Sequence, residues 1–311
     1  MQKFVILADG TCDLGEDLQK EYDIVVIPGH IALPDKTEIP AFLSWDTYSR
    51  EQFYQDLKKD PAGFTTSPPN VQEFAQAFSR YAAEGYDMLV MTISSGISGA
   101  QGFARQAREQ VLRDYPERRI ECVDTLRFGP GFGLMAVYAS RLRAQGMGLS
   151  AVKDWLEENK NRFHQAGWLD DLSFVAKKGR LTHAKAFMGT LVGVKPLGEF
   201  DYNGLTTVIG KVKGARTAYA ALLHYMEKTI EDPENQTIFI AQTNRLPQAQ
   251  EYQRMIQERF HPKAVEIHDV FPSCGINIGP GLMAAYYVGT PISEDLSRET
   301  GIMEEFINAG R

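Results

Sequence analysis

The sequence has 311 residues, of which 43% are hydrophobic and 23% charged, and its formal net charge at pH 7 is −7. This composition is typical of a globular protein, and the length suits two domains or one large one. The chain has no basic block, which argues against a nucleic-acid partner because phosphate contacts need clustered Lys and Arg. Its apolar runs are too short for a signal peptide or a membrane span.

The spacing of cysteines and histidines bears on the compartment and on metal binding. The three cysteines, at positions 12, 122 and 274, are widely separated, as expected in a reducing compartment. The six histidines are scattered, and neither a CxxC nor an HExxH motif occurs. We therefore expect a cytoplasmic protein without a bound metal.

Strands and helices alternate over the first half of the chain. Apolar runs predict strands at residues 4–8, 24–27, 88–93 and 119–123. Helical spacing of apolar residues predicts helices at residues 14–22, 47–58, 71–82, 99–112 and 134–145. This alternation predicts an α/β domain whose parallel sheet carries helices on both faces.

Two hydroxyl-rich turns precede helices in this half. Ser94 and Ser95 directly follow a buried strand, and Thr65 and Thr66 lie in a turn before the next helix. The first N–H groups of a helix lack internal partners, and ligands of open α/β sheets lie at the carboxyl ends of strands. Both turns therefore suit an anion, with capping of the following helix as the alternative role.

The pattern changes near residue 150. Helices are expected at residues 149–162, 170–178, 183–191, 215–230 and 247–260. Strands are expected at residues 166–169, 237–242 and 264–269. Asn203-Gly204, the preferred two-residue turn of a β-hairpin, separates two further strands at 194–202 and 205–213. We expect a mixed or antiparallel sheet with helices.

The last glycine-rich segment is Gly275-Ile-Asn-Ile-Gly-Pro-Gly281. We interpret it as the start of an apolar helix at residues 282–288, because glycine permits close approach to a ligand or to neighbouring backbone. The chain is thus expected to form two domains, at residues 1–160 and 161–311.

Six motif blocks occur in order along the chain. They are Asp9-Gly-Thr-Cys-Asp13; Thr65-Thr-Ser-Pro-Pro69; Ser94-Ser-Gly-Ile-Ser-Gly-Ala100; Asp170-Asp-Leu with Lys178-Gly-Arg-Leu181; Lys195-Pro-Leu with Asn203-Gly204 and Arg216-Thr217; and Gly279-Pro-Gly281. Together they resemble the motifs of the DegV family, the bacterial fatty-acid-binding proteins, over about residues 4–289. The resemblance implies a two-domain α/β fold with an N-terminal parallel domain and a C-terminal domain built on a mixed sheet.

The resemblance also implies the ligand and its contacts. A long-chain fatty acid would lie between the domains, with its tail in an apolar tunnel and its carboxylate held by polar groups. The residues implied as carboxylate ligands are Thr65, Thr66, Ser94, Ser95 and Asn277. Those implied as supporting or partner-docking residues are Arg180, Arg216, Gly279 and Gly281.

By the same resemblance the protein is a carrier and not an enzyme. It would present the fatty acid to a separate fatty acid kinase subunit, which phosphorylates the carboxyl group, and the acyl phosphate would enter phospholipid synthesis. The bound fatty acid would be its ligand, without a further cofactor. Transient contact with a membrane surface stays open.

Three positions depart from the family motifs. Gly10 replaces a serine, Pro68 replaces a glutamine, and Asn277 replaces the histidine that precedes Gly-Pro-Gly. Asparagine can donate a hydrogen bond to a carboxylate but cannot carry a charge. This last change leaves open whether the ligand is handed to a kinase and whether a different carboxylic acid is bound.

An enzyme remains the alternative. A serine-dependent acyl hydrolase or transferase would use Ser95 as its nucleophile, but the chain lacks a Gly-x-Ser-x-Gly elbow and an evident base. A phosphotransferase would bind nucleotide, but the chain lacks a P-loop motif.

Overall fold

The computed structural model describes residues 3–180 and 193–310, which form two compact units. Unit 1 comprises residues 1–48, 62–160 and 271–276, and unit 2 comprises residues 49–61, 161–270 and 277–311. The main changeover lies between Lys160 and Asn161, and two short segments belong to the opposite unit. The helix predicted at residues 183–191 lies outside the described residues.

Over residues 3–160 the structure describes seven strands, all of them in unit 1. They are β1 (Phe4–Asp9), β2 (Ile24–Ile27), β3 (His30–Ala32), β4 (Glu38–Pro40), β5 (Thr65–Ser67), β6 (Asp87–Thr92) and β7 (Ile120–Asp124). A four-stranded sheet has the order β2-β1-β6-β7, and every adjacent pair is parallel. The predicted parallel sheet is thus confirmed.

Six α-helices begin within the same described stretch. They are α1 (Glu16–Tyr22), α2 (Arg50–Lys59), α3 (Val71–Ala83), α4 (Ala100–Asp114), α5 (Gly129–Ala144) and α6 (Leu149–Asn159), of which α2 belongs to unit 2. The helix α3 begins with a capping box, in which Asn70 and Glu73 satisfy each other's backbone N–H groups. Its Phe74 and Phe78 are fully buried in an apolar cluster with residues of the parallel sheet and α4.

The turn predicted at Thr65 and Thr66 is wrong, because these residues form β5. This strand pairs antiparallel with β3, and β3 also pairs with β4, so the three strands form a second small sheet. The partner strand lies far away in sequence, which leaves no local signal for β5. Capping of α3 falls to Asn70 instead.

Unit 2 carries a six-stranded sheet. Its strands are β8 (Phe163–Leu169), β9 (Val194–Phe200), β10 (Thr206–Lys213), β11 (Thr237–Gln242), β12 (Ala264–Asp269) and β13 (Leu282–Val288). The order is β10-β9-β8-β13-β11-β12, with β11 and β12 parallel and the other pairs antiparallel. The predicted mixed sheet is confirmed.

The helices of this part of the chain are short or flank the six-stranded sheet. They are α7 (Ser173–Lys177), α8 (Ala215–Thr229), α9 (Leu246–Phe260), α10 (Pro272–Ile278) and α11 (Ser297–Ala309). In the part of the chain that the structure describes, none of the helices combines the length and the apolar character needed to cross a membrane.

The predicted hairpin is confirmed, but its turn is longer than the two residues expected. The Asp201 N–H donates to the Leu205 carbonyl over 2.7 Å, so the loop spans three residues. The Asp201 carboxylate accepts hydrogen bonds from the backbone N–H groups of Asn203 and Leu205. This side chain therefore stabilises the wider loop, and Gly204 supplies its positive φ of 79°.

The helix predicted at residues 282–288 is wrong, because this segment is β13. The strand lies between β8 and β11 inside the sheet, and its first six residues are buried. A strand covered on both faces reads as a continuous apolar run without alternation. Such a run cannot be distinguished from a buried helix by periodicity.

Candidate functional site

The corner after β6 places two adjacent serines in different environments. Ser94 is fully buried, and its hydroxyl oxygen accepts a hydrogen bond from the Gly96 N–H at 3.2 Å. The Ser94 N–H donates to the Arg127 carbonyl at 2.9 Å. Ser94 therefore stabilises the turn itself.

Ser95 is exposed, in contrast to its neighbour. Its backbone N–H donates to the Asp124 carboxylate at the end of β7 over 3.1 Å. This bond holds the backbone, while the side-chain hydroxyl lies at an accessible position. Ser95 is thus the better placed of the two serines for a ligand.

Asp9, the last residue of β1, fixes the same corner from the other side. Its carboxylate is buried and accepts a 2.7 Å hydrogen bond from the Ile93 N–H, just before the serines. The other oxygen accepts hydrogen bonds from the Thr11 N–H and hydroxyl. Burial raises the pKa of Asp9, although these hydrogen bonds act in the opposite direction.

The two threonines of β5 lie on opposite faces of that strand, because successive side chains alternate. Thr66 is paired with the fully buried Ile31 of β3 and is itself half-buried, whereas Thr65 is exposed. The alternation means that the two hydroxyls cannot present themselves to a ligand from the same face of β5.

Unit 1 brings β5 close to the carboxyl end of its parallel sheet through glycine contacts. Asp9 of β1 is in register with Ile27 of β2. Directly after these residues, Gly10 and Pro28 lie so close together that a Cβ on Gly10 would be 3.2 Å from the Cα of Pro28. A Cβ on Gly29 would lie 2.5 Å from the Ser67 carbonyl oxygen. Both hydroxyl segments therefore lie at one edge of unit 1.

Arg127, which the sequence did not predict as a site residue, has a fully buried side chain in unit 1. One guanidinium nitrogen, Nη1, donates to the Leu126 carbonyl at 2.7 Å. The Arg127 carbonyl in turn accepts the Ser94 N–H. A buried arginine keeps its charge, so it contributes positive potential to the interior near the serine corner. Its sequence context carries no motif that could have revealed it.

Two predicted glycines have clear structural roles within unit 2. Gly279 has φ of +77°, and a Cβ there would lie 2.5 Å from the ring of Phe174. Gly281 has φ of +108°, and a Cβ there would lie 2.9 Å from the Cβ of Asp170. Asn277 lies in α10 and is partly buried.

The two predicted arginines also belong to unit 2. Arg216 is exposed in the first turn of α8. Arg180 donates from Nη1 to the carbonyl of Lys178. Burial lowers the pKa of Lys178, and the nearby charge of Arg180 adds to this effect. Both arginines supply positive charge to the surface of this unit.

The cysteines and the potential metal ligands are the remaining candidate residues for chemistry. Within residues 3–180 and 193–310, no group of three or more His, Cys, Asp or Glu side chains could hold a metal ion. Burial raises the pKa of Cys122 to about 12 and also raises the pKa of Cys274 well above its ordinary value, so these thiols stay protonated at neutral pH. The cysteines are free of disulfides.

Comparison with known proteins finds relatives over nearly the whole length of this chain. The model of the family described as "Uncharacterised protein, DegV family" matches residues 3–290. A DegV domain-containing protein of Clostridium perfringens is 31% identical over 289 residues, which cover 93% of this chain and 98% of the relative. One from Streptococcus pyogenes serotype M1 is 30% identical over 290 residues, covering 92% and 98%.

Solved structures share the fold. A DegV family protein from Thermus thermophilus, described as binding fatty acid, superposes with a TM-score of 0.83 at 22% identity, covering 93% of this chain and all of that one. DegV of Bacillus subtilis, described as a fatty acid binding protein, gives a TM-score of 0.77 at 21% identity, with 93% and 100% coverage. From the family match and these relatives, this chain belongs to the DegV family.

Proposed function

We propose that this protein binds a long-chain fatty acid and holds the carboxylate with hydroxyl groups of unit 1. The observation that carries the proposal is the exposed Ser95 on a turn fixed by Asp9 and Asp124 at the carboxyl end of the parallel sheet. The fatty acids described for solved members of the family support the same ligand class.

The energetics divide between the two ends of such a ligand. Each buried methylene contributes about 0.8 kcal/mol, so the acyl tail supplies most of the affinity. The carboxylate tolerates burial only when donors satisfy it. The hydroxyls of Ser95 and Thr66 are donors of this kind. The polar groups therefore orient the ligand.

The first experiment identifies the ligand. The purified protein is denatured, extracted with organic solvent and analysed by mass spectrometry. The proposal expects about one fatty acid per chain, or stoichiometric uptake when fatty acid is offered to delipidated protein. An extract with a different carboxylic acid would redefine the ligand, and absence of both retention and uptake would refute the proposal.

Site variants test the carboxylate contacts. We expect Ser95→Ala to weaken fatty acid binding by about tenfold or more, because a hydrogen bond to a charged group contributes roughly 1.5–3 kcal/mol. The matched control is Ser150→Ala, an exposed serine in α6. Since Thr65 and Thr66 lie on opposite faces, we expect only Thr66→Val to weaken binding. Equal affinity in Ser95→Ala and Ser150→Ala would contradict the assigned contact.

We extend the proposal to a carrier role, in which the bound acid is presented in the cytoplasm to a separate fatty acid kinase. The exposed Arg216 on α8 suits docking to an acidic partner surface. With a fatty acid kinase and ATP, we expect phosphorylation of the bound acid, slowed in Arg216→Glu but not in the exposed Arg254→Glu of α9. Release of free acid from an acyl ester, abolished in Ser95→Ala, would instead indicate a hydrolase.

A further inference from the structure

An open cavity of about 280 Å³ lies in unit 2, at one end of the strands of its six-stranded sheet. Its lining includes Trp168 at the end of β8, Asp170 just beyond it, Lys195 at the start of β9, and Arg245 after β11. The charged side chains keep 20–35% of their surface exposed, so a ligand from solvent can reach them. Met283 supplies an apolar wall.

The side chains around this cavity carry more positive than negative charge. Lys195 donates to one carboxylate oxygen of Asp170, and Arg245 donates to the other through Nε, at 2.9 Å, and Nη2. Burial on its own would raise the pKa of Asp170, but hydrogen bonds from Lys195 and Arg245 hold that pKa below its ordinary value. The carboxylate is therefore ionised at neutral pH. Two cations sharing one carboxylate leave a net charge of about +1.

Lys195 and Arg245 each have N–H donors beyond those that bind Asp170. An ammonium group has three N–H donors, and in the part of the chain that the structure describes Lys195 hydrogen-bonds through Nζ to Asp170 alone. Arg245 places Nε and Nη2 on Asp170 and Nη1 on the Asn244 carbonyl at 3.2 Å, which leaves a second N–H on each terminal nitrogen. These donors are available to an oxyanion in the cavity.

Two helices add to the positive potential. Ala215, the first residue of α8, and Gln248, in the first turn of α9, both line the cavity. Neither helix has a side-chain cap, and each N-terminus is equivalent to roughly half a positive charge. The net charge of about +1 from the three side chains and the two helix N-termini together give the cavity a positive charge of about +2. This charge matches a phosphate group, with roughly −1.5 to −2, better than a carboxylate, with −1.

We propose that this cavity of unit 2 binds a phosphate group, free or carried on a small organic molecule. Arg245 and Lys195 would bind the phosphate oxygens, since the guanidinium fork matches their geometry. The indole of Trp168, with Lys195 Nζ 5.9 Å from its ring centre, offers a flat wall for an organic substituent. The side chains that carry this proposal all belong to unit 2.

Calorimetric titration of the full-length protein, with its co-purified lipid, tests this site. The probes are inorganic phosphate and phenyl phosphate. We expect saturable binding, weakened about tenfold or more by Arg245→Gln because a charged hydrogen-bond donor is lost. Tighter binding of phenyl phosphate would assign the site to phosphate esters, and equal binding would assign it to phosphate alone.

The controls separate a ligand site from a structural ion cluster. Arg254→Gln makes the same change of charge on the exposed face of α9 and should leave binding unchanged. Asp170→Asn removes the carboxylate that competes with phosphate for the two cations, so this variant should bind phosphate more tightly. Lys195→Gln removes a cation and should weaken phosphate binding. Circular dichroism checks that each variant folds. Lack of saturable binding at millimolar probe, or equal affinity in Arg245→Gln and Arg254→Gln, would overturn the proposal.

Discussion

Substitution of Gly279 by alanine distinguishes a structural glycine from one that contacts ligand. Its φ of +77° costs an alanine about 1–2 kcal/mol. The added Cβ would lie 2.5 Å from the Cγ of the buried Phe174, and such overpacking costs about 1–3 kcal/mol more. We therefore expect Gly279→Ala to lower the free energy of unfolding of unit 2 by about 2–5 kcal/mol.

Gly179→Ala is the matched control for this experiment. Its φ of +72° is nearly the same, but nothing lies within 4 Å of the added Cβ, so only the backbone cost of about 1–2 kcal/mol applies. Urea unfolding with amide hydrogen exchange in β13 measures both variants. Equal losses would show that Phe174 moves aside at no cost. Unchanged stability with loss of fatty acid binding would refute the structural role.

Two further predictions concern buried carboxylates. Because burial raises the folded-state pKa of Asp9 above its ordinary 3.8, its contribution to stability should fall as pH rises from 3.8 through the raised pKa. Urea titrations at pH 4–8 measure the free energy of unfolding of the wild type and of Asp9→Asn. The stability advantage of the wild type should decrease as the pH rises, and an advantage that does not change with pH would contradict this prediction. Glu199 is fully buried and accepts hydrogen bonds from His164 (2.7 Å) and Tyr225 (2.8 Å), so Glu199→Gln should cost about 3–5 kcal/mol by urea unfolding. The exposed Glu227→Gln should cost far less, and similar losses would argue against a buried ionic network.

The sequence predicted the elements whose signal is local. The run before Ser94 contains apolar β-formers and ends abruptly, and it is β6, fully buried in the parallel sheet. The helical spacing around Phe74 and Phe78 is equally direct, because one face of α3 packs on that sheet. Short-range periodicity therefore fixed the framework of unit 1 and the alternation of its layers.

Features that depend on distant partners escaped prediction. The strand β5 exists because β3 lies beside it, and β13 reads as a helix because both of its faces are covered. Asp170, Lys195 and Arg245 are separated by 25 and 50 residues, yet they share hydrogen bonds at one cavity. Nothing in the local sequence around each charge indicates that the three meet.

At the corner after β6, neighbouring polar groups order the backbone that carries the exposed Ser95. The Asp9 carboxylate accepts the Ile93 N–H, the Arg127 carbonyl accepts the Ser94 N–H, and the Asp124 carboxylate accepts the Ser95 N–H. These acceptors lie at or just beyond the ends of β1 and β7, the two strands beside β6, and they fix three consecutive residues. An ordered backbone loses little further entropy when its hydroxyl binds a ligand. In the proposed function, these polar groups would therefore contribute to affinity without touching the ligand, because they remove an ordering cost that a mobile serine loop would incur on binding.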